Sequence, residues 1–170
     1  MKTAHRTSAG MLAVTCLLLL GFMTGCATSL PRAAADAVKA AFPQASIEEV
    51  GLDKEDGIDL YEVELRQNGE ETEVTVSPDG VIVEVETEVF LKDLPKAVAD
   101  AITKAAAGAK VEEIKREETR AVVRAGKLVK LDQPRITYEA EFRKDGKELQ
   151  IELAPDGTIL KTESEDDNED

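Results

Sequence analysis

The sequence predicts an α+β protein made of two tandem repeats, each one helix packed on a four-stranded antiparallel sheet. Three observations carry this. The chain is self-similar, each copy opens with a helical apolar stripe, and each continues in period-two alternation broken by turn dipeptides.

The repeat is read by laying the chain on itself. Leu30-Pro31-Arg32-Ala33-Ala34-Ala35-Asp36-Ala37-Val38 corresponds to Leu94-Pro95-Lys96-Ala97-Val98-Ala99-Asp100-Ala101-Ile102 at an offset of 64, as Ala45–Val50 does to Ala109–Ile114. Tyr61–Leu65 then corresponds to Tyr138–Phe142, and Val76–Gly80 to Leu153–Gly157, at an offset of 77. The second copy therefore carries 13 extra residues between Ile114 and Tyr138.

The first element of each copy is a helix. Ala34, Ala37, Val38, Ala41 and Phe42 recur at the spacing of one helical face, and Val98, Ala101, Ile102, Ala105 and Ala106 repeat it. Pro31 and Pro95 suit a first turn, and Pro43 and Gly108 suit the exits. Small alanines let the helix lie close to a sheet.

Strands follow. Tyr61, Val63 and Leu65 alternate with Glu62, Glu64 and Arg66; Thr72, Val74 and Val76 alternate with Glu71, Glu73 and Thr75; Val81, Val83 and Val85 alternate with Ile82, Glu84 and Glu86. One apolar face at period two means half-buried antiparallel strands. Asn68-Gly69, Asp79-Gly80, Asp145-Gly146 and Asp156-Gly157 mark the hairpin turns. Tyr61, Tyr138 and Phe142 take the apolar parity, so they are expected in the core. Residues 30–90 form the first repeat and 91–163 the second, with a basic insertion near 115–135. Residues 164–170 are mostly acidic and are expected to be disordered.

The N-terminus reads as an export signal. Lys2, His5 and Arg6 precede an apolar run from Met11 to Phe22, too short for a stable membrane span and suited to a signal peptide over residues 1–25. Gly25-Cys26 ends that run and resembles a bacterial lipobox, in which the cysteine is lipidated and becomes residue one; residues 26–29 are then a short linker. Plain cleavage near Ala27 and an uncleaved anchor are the alternatives. Acyl chains on Cys26 would hold the protein to a membrane, at ~0.8 kcal/mol per buried CH₂. Ala27 after the cysteine resembles lipoproteins forwarded to an outer membrane, which places the chain facing the periplasm. Loss of Lys2 and Arg6 takes the formal charge from −14 to −16.

Composition excludes several functions. A charge this negative argues against nucleic acid, whose phosphates need clustered Lys and Arg. With 4% aromatic residues and no Trp, the core must be aliphatic. Beyond residue 26 there is no histidine and no thiol, which removes the usual triads, thiol sites and zinc. Ser29, Ser46, Ser77 and Ser164 sit beside turns or ends, and no Ser-x-x-Lys pattern occurs beyond residue 26. Asp53-Lys54-Glu55-Asp56-Gly57-Ile58-Asp59 lacks the spacing of a calcium loop and reads as a polar hairpin turn. No enzyme activity, cofactor or specific metal is expected.

The arrangement resembles the PepSY-like family, also described as beta-lactamase-inhibitory-protein-like. The resemblance rests on the repeated Leu-Pro-x-Ala helix, the Tyr-Glu-x-Glu strand and the Pro-Asp-Gly hairpin, and covers Leu30 to about Glu163. It implies an exported, non-catalytic protein that binds a protein or peptide or modulates a peptidase. The family's inhibitory protein binds through an aromatic-rich sheet; here Tyr61, Tyr138 and Phe142 take the helix-facing parity instead.

Two charged features are the candidate binding residues. Glu62, Glu64, Glu71, Glu73, Glu84 and Glu86 share the outward face of the first sheet, and Glu139, Glu141, Glu148 and Glu152, with Arg143 and Lys161, that of the second. They form either a solvated face that resists aggregation or an acidic surface for a basic protein segment. The insertion is basic, with Lys115, Arg116, Arg120, Arg124, Lys127, Lys130 and Arg135 against Glu117, Glu118 and Asp132. It reads as a lengthened hairpin that either binds a partner or neutralises the glutamate face internally. The expected partner is a protein or peptide of the cell envelope. The alternative is a structural or weakly cation-binding envelope protein.

Overall fold

The computed structural model describes residues 29–144 and 146–166. The expected export signal, Cys26, Asp145 of the expected Asp145-Gly146 turn and residues 167–170 lie outside the described residues. The elements in chain order are α1 (Arg32–Ala41), β1 (Ser46–Val50), β2 (Asp53–Glu55), β3 (Ile58–Gln67), β4 (Glu70–Val76), β5 (Ile82–Glu88), α2 (Lys96–Ala106), β6 (Val111–Arg124), β7 (Lys127–Lys144), β8 (Lys147–Leu153) and β9 (Ile159–Asp166), with a 3₁₀ turn at Leu91–Asp93 before α2.

The four-stranded sheets expected of the two repeats are joined in one nine-stranded antiparallel sheet in the order β1-β3-β4-β5-β6-β7-β8-β9, with β2 pairing β3 beside that path. The join is the β5–β6 ladder, where Glu84 to Glu88 pair with Thr119 to Lys115. Period-two patterning marks a strand but not its neighbour, so the seam was invisible to it. The ninth strand is β2, the expected polar turn closing as a short hairpin through Asp56 and Gly57. Ser164 to Asp166, expected to be disordered, belong to β9 and pair with β8. Backbone pairing holds these residues, although none of them has an apolar side chain.

Both helices cover the apolar face. Pro31 and Pro95 cap α1 and α2 from just outside the first turn, and α2 ends on left-handed Ala107 followed by Gly108. Ala34 and Val38 pack with Val63, Leu65, Val74, Val76 and Val85. Val98, Ile102 and Ala106 pack with Ile114, Tyr138, Ala140, Phe142, Ile151 and Leu153. Helices of 10 and 11 residues are marginal alone, so docking stabilises them. The aromatics sit as expected: Phe142 and Tyr138 are buried, and Tyr61 packs half-buried against the α1 core.

The insertion extends β6 and β7 into a long hairpin that turns at Ala125-Gly126, both with positive φ. Pairing jumps from Thr119–Arg135 to Ala121–Lys130, so a bulge over residues 131–134 separates the tip from the main ladder. The tip packs Ala121, Val123 and Leu128 against Ile58, Leu60, Val81 and Val83 in a third apolar cluster. The hairpin is thus a clasp onto the first half of the chain.

Candidate functional site

Side chains on a strand alternate between faces, so burying Val63, Val74, Val85, Ile114 and Ala140 under the helices turns their neighbours the other way. Those neighbours are mostly glutamates, and strand register sets them in rows across the sheet. One row runs Glu49, Glu64, Glu73, Glu86, Glu117, Thr137, each directly opposite the next. A second runs Glu88, Lys115, Glu139, Glu152, Lys161. A third runs Glu62, Thr75, Glu84, Thr119, Arg135.

Lys115 sits at the centre. Its Nζ lies 3.6 Å from Glu86, with only 25% and 23% of the two side chains exposed. Burial alone would lower the Lys115 pKa, but Glu86, Glu113, Glu73 and Glu139 overcome it and raise it. Two buried threonines hold carboxylates in place: Thr119 Oγ1 donates to Glu84 at 2.9 Å and Thr137 Oγ1 to Glu117 at 2.7 Å. Arg135 donates in turn to Thr119 Oγ1 at 3.4 Å.

Burial dominates the electrostatics of this face. It pushes Glu84 up to about 7, aided by Glu117, and Glu86 up to about 7, aided by Glu73. Glu139 also rises to about 7, through burial and then Glu117. Glu73, Glu62, Glu64, Glu141 and Glu152 shift upward for the same first reason. Among the described residues no group of three or more Asp or Glu is arranged to hold a metal ion.

The structure brings the expected Glu62, Glu64, Glu139 and Glu141 onto one continuous face. The cations of the hairpin divide between its ladder and its tip. Arg120 and Arg116 both pair with Glu118, at 2.9 and 3.1 Å, and hold its carboxyl below the usual range although burial opposes this. Arg124, Lys127 and Lys130 are exposed around the tip, with no ion pair among the described residues. On the second half, Arg143 pairs with Glu112 and Glu148, and Lys161 with Glu163.

Sequence reasoning missed the centrality of Lys115 and Glu117, whose neighbours are fixed only by the β5–β6 seam. It also missed a groove of about 420 Å³ beside that seam, lined by Val89, Phe90, Ala106, Val111 and Ile114, with Phe90 62% exposed. Ser77, one of the serines considered, is buried and accepts from the Val81 amide at 3.0 Å, so it fastens the β4–β5 turn.

The sequence matches the family model described as beta-lactamase-inhibitor-like, PepSY-like, over residues 26–84 and again over 59–161. The uncharacterized protein YkoJ of Bacillus subtilis (strain 168) is 34% identical over 136 residues, covering 78% of this chain and 73% of that one. A BLIP-like protein from Bacteroides fragilis superposes with a TM-score of 0.61 at 19% identity, over 84% of this chain and 92% of that one. A Bacteroides eggerthii protein, provisionally described as periplasmic, superposes with a TM-score of 0.64 at 18% identity, over 81% and 90%. At these identities the structural likeness concerns the fold.

Proposed function

The chain belongs to the beta-lactamase-inhibitor-like, PepSY-like family, and from that premise we propose that it is an exported, non-catalytic envelope protein that binds a basic protein or peptide segment on its glutamate face. The observation that carries this is the row Glu64, Glu73, Glu86, Glu117, directly opposed across four strands. Like charges directly opposite destabilise a sheet. A face needed only for solubility gains nothing from stacking them in register. Lysines or arginines of a partner would relieve the repulsion and steer its approach. A peptidase is the partner class that the family resemblance implies.

In this reading the lipid on Cys26 holds the protein to a membrane, the outer one in a two-membrane cell. Residues 30–90 and 91–163 are repeats of one helix-and-sheet unit fused edge to edge. Arg124, Lys127 and Lys130 at the hairpin tip, with Arg120 behind them, offer a second contact for an acidic patch on the same partner.

Affinity capture from envelope extract with residues 27–170, followed by mass spectrometry, tests the reading. Saturable capture lost in Glu64→Gln with Glu139→Gln supports it. Capture unaffected by these changes moves the site elsewhere. A calcium-dependent melting shift without capture favours the structural or cation-binding alternative.

A further inference from the structure

Neighbouring strands lie about 4.8 Å apart, so the register sets the backbones of Glu64, Glu73, Glu86 and Glu117 one strand spacing from each other, with their side chains on the same face. Two ionised carboxylates at such range repel, whereas one proton shared between them turns repulsion into a hydrogen bond. The only histidine in the sequence is His5, so the usual neutral-pH sensor is missing from the described fold.

The charged groups facing the row come from every strand around it. Glu86 on β5 meets Glu73 from β4, Lys115 and Glu117 from β6, Glu139 from β7, and Glu84 on its own strand. Glu73 meets Glu62 and Glu64 from β3, Glu84 from β5 and Lys115 from β6. Glu139 meets Lys115 and Glu117 from β6, Gln150 from β8 and Glu141 on β7. The helices cover the opposite face. Glu64 meets Glu48 and Glu49 from β1, Glu71 from β4 and Arg66 on its own strand, and Arg135 from β7 stands behind Thr119 at Glu84. Around Glu73, Glu86 and Glu139 the counter-charge is Lys115, so the carboxyls at the centre outnumber it.

We propose that Glu84, Glu86 and Glu139, crowded by the opposed carboxylates and the single Lys115 beside them, form a proton-linked switch: on acidification they take up protons, tighten the sheet and discharge the docking face, so that a bound basic segment is released. Release rests on the docking reading above; the tightening of the sheet does not. Glu84, Glu86 and Glu139 supply the range, since burial and their carboxylate neighbours hold each near 7. A carboxyl raised in the folded state favours folding fully below its ordinary value and loses that contribution as pH rises through the raised one. The window therefore runs from the ordinary carboxylate range up through about 7, and stability falls across it as pH increases.

The test measures melting of residues 27–170 at low salt at about pH 5.5 and pH 8, and in parallel the affinity for hexalysine. The expected Tm is higher at pH 5.5 by about 3 °C or more. Glu86→Gln should raise Tm at pH 8 and shrink the pH difference, while the exposed Glu70→Gln leaves the difference intact. Hexalysine should bind about tenfold or more weaker at pH 5.5. A Tm that is flat or lower at pH 5.5, or a pH difference untouched by Glu86→Gln, overturns the switch. With the Tm behaviour as expected, a hexalysine affinity that is equal at both pH values also overturns it, because the face then does not discharge. The same Tm behaviour with no hexalysine binding at either pH supports proton uptake by Glu84, Glu86 and Glu139 and removes the docking reading instead.

Discussion

Gly157 lies against the carbonyl of Ala97 so closely that a Cβ on Gly157 would stand 2.5 Å from that oxygen; Gly80 stands in the same relation to Ala33, at 2.6 Å. Each glycine also has φ above +80°. The hairpin turn of each half is thus wedged onto the first turn of its helix. A side chain there meets both backbone strain and a backbone atom that cannot swing away. Gly157→Ala or Gly80→Ala should each cost about 2 kcal/mol or more in urea melts. Gly69→Ala, at a positive φ with open space around it, should cost less.

Ile102 is fully buried between α2 and the sheet. Ile102→Ala should cost ~2–5 kcal/mol. A denaturation midpoint equal to wild type would refute the helix-on-sheet packing.

Lys115 is the counter-charge of the glutamate rows. Lys115→Met should destabilise by about 1–3 kcal/mol at pH 8, where its neighbours are ionised. The loss should shrink at pH 5.5, where Glu84, Glu86 and Glu139, raised to about 7, hold protons. Thermal melts at the two pH values check the sign.

The hairpin tip separates packing from charge. Leu128→Ala removes part of the third apolar cluster and should lower stability by about 1–2 kcal/mol. Arg124→Glu with Lys127→Glu touches exposed positions and should leave Tm nearly unchanged, because exposed pairs are worth only ~0–1 kcal/mol. The double change should weaken capture of a partner whose acidic patch the tip contacts. Capture at wild-type strength would leave the tip a clasp only.

Cys26→Ser should release the protein from membrane or leave it unprocessed, as fractionation and mass would report. A mature-sized species still fractionating with membrane would refute lipidation at Cys26.

The sequence made the faces legible and left the rows hidden. Alternation at Tyr61–Leu65 and Thr72–Val76 is a local property, so the inward Val63 and Val74 and the outward Glu62, Glu64 and Glu73 could be read strand by strand. The opposition of Glu86 and Glu117 depends on register across the β5–β6 seam, between residues with a helix between them in the chain. No local pattern encodes it. The hairpin shows the same division: the insertion was legible as a lengthened hairpin, but the packing of its Val123 and Leu128 with Leu60 and Val83 is a long-range contact that no local pattern encodes. Burial of the glutamates, and with it their shifted protonation, is likewise a property of the assembled sheet.

From β3 to β9 the spatial order of the strands follows their order in the chain, and each pairs with the next. Within each half the partner is reached through a short turn, and α2 is the one long detour, between β5 and β6. Such a meander asks each strand past β3 to find only the strand before it, which limits the search for distant partners relative to a sheet with crossovers. A chain emerging residue by residue from a narrow channel could lay down this sheet strand after strand. No strand past β3 has to wait for a partner that is still to be delivered.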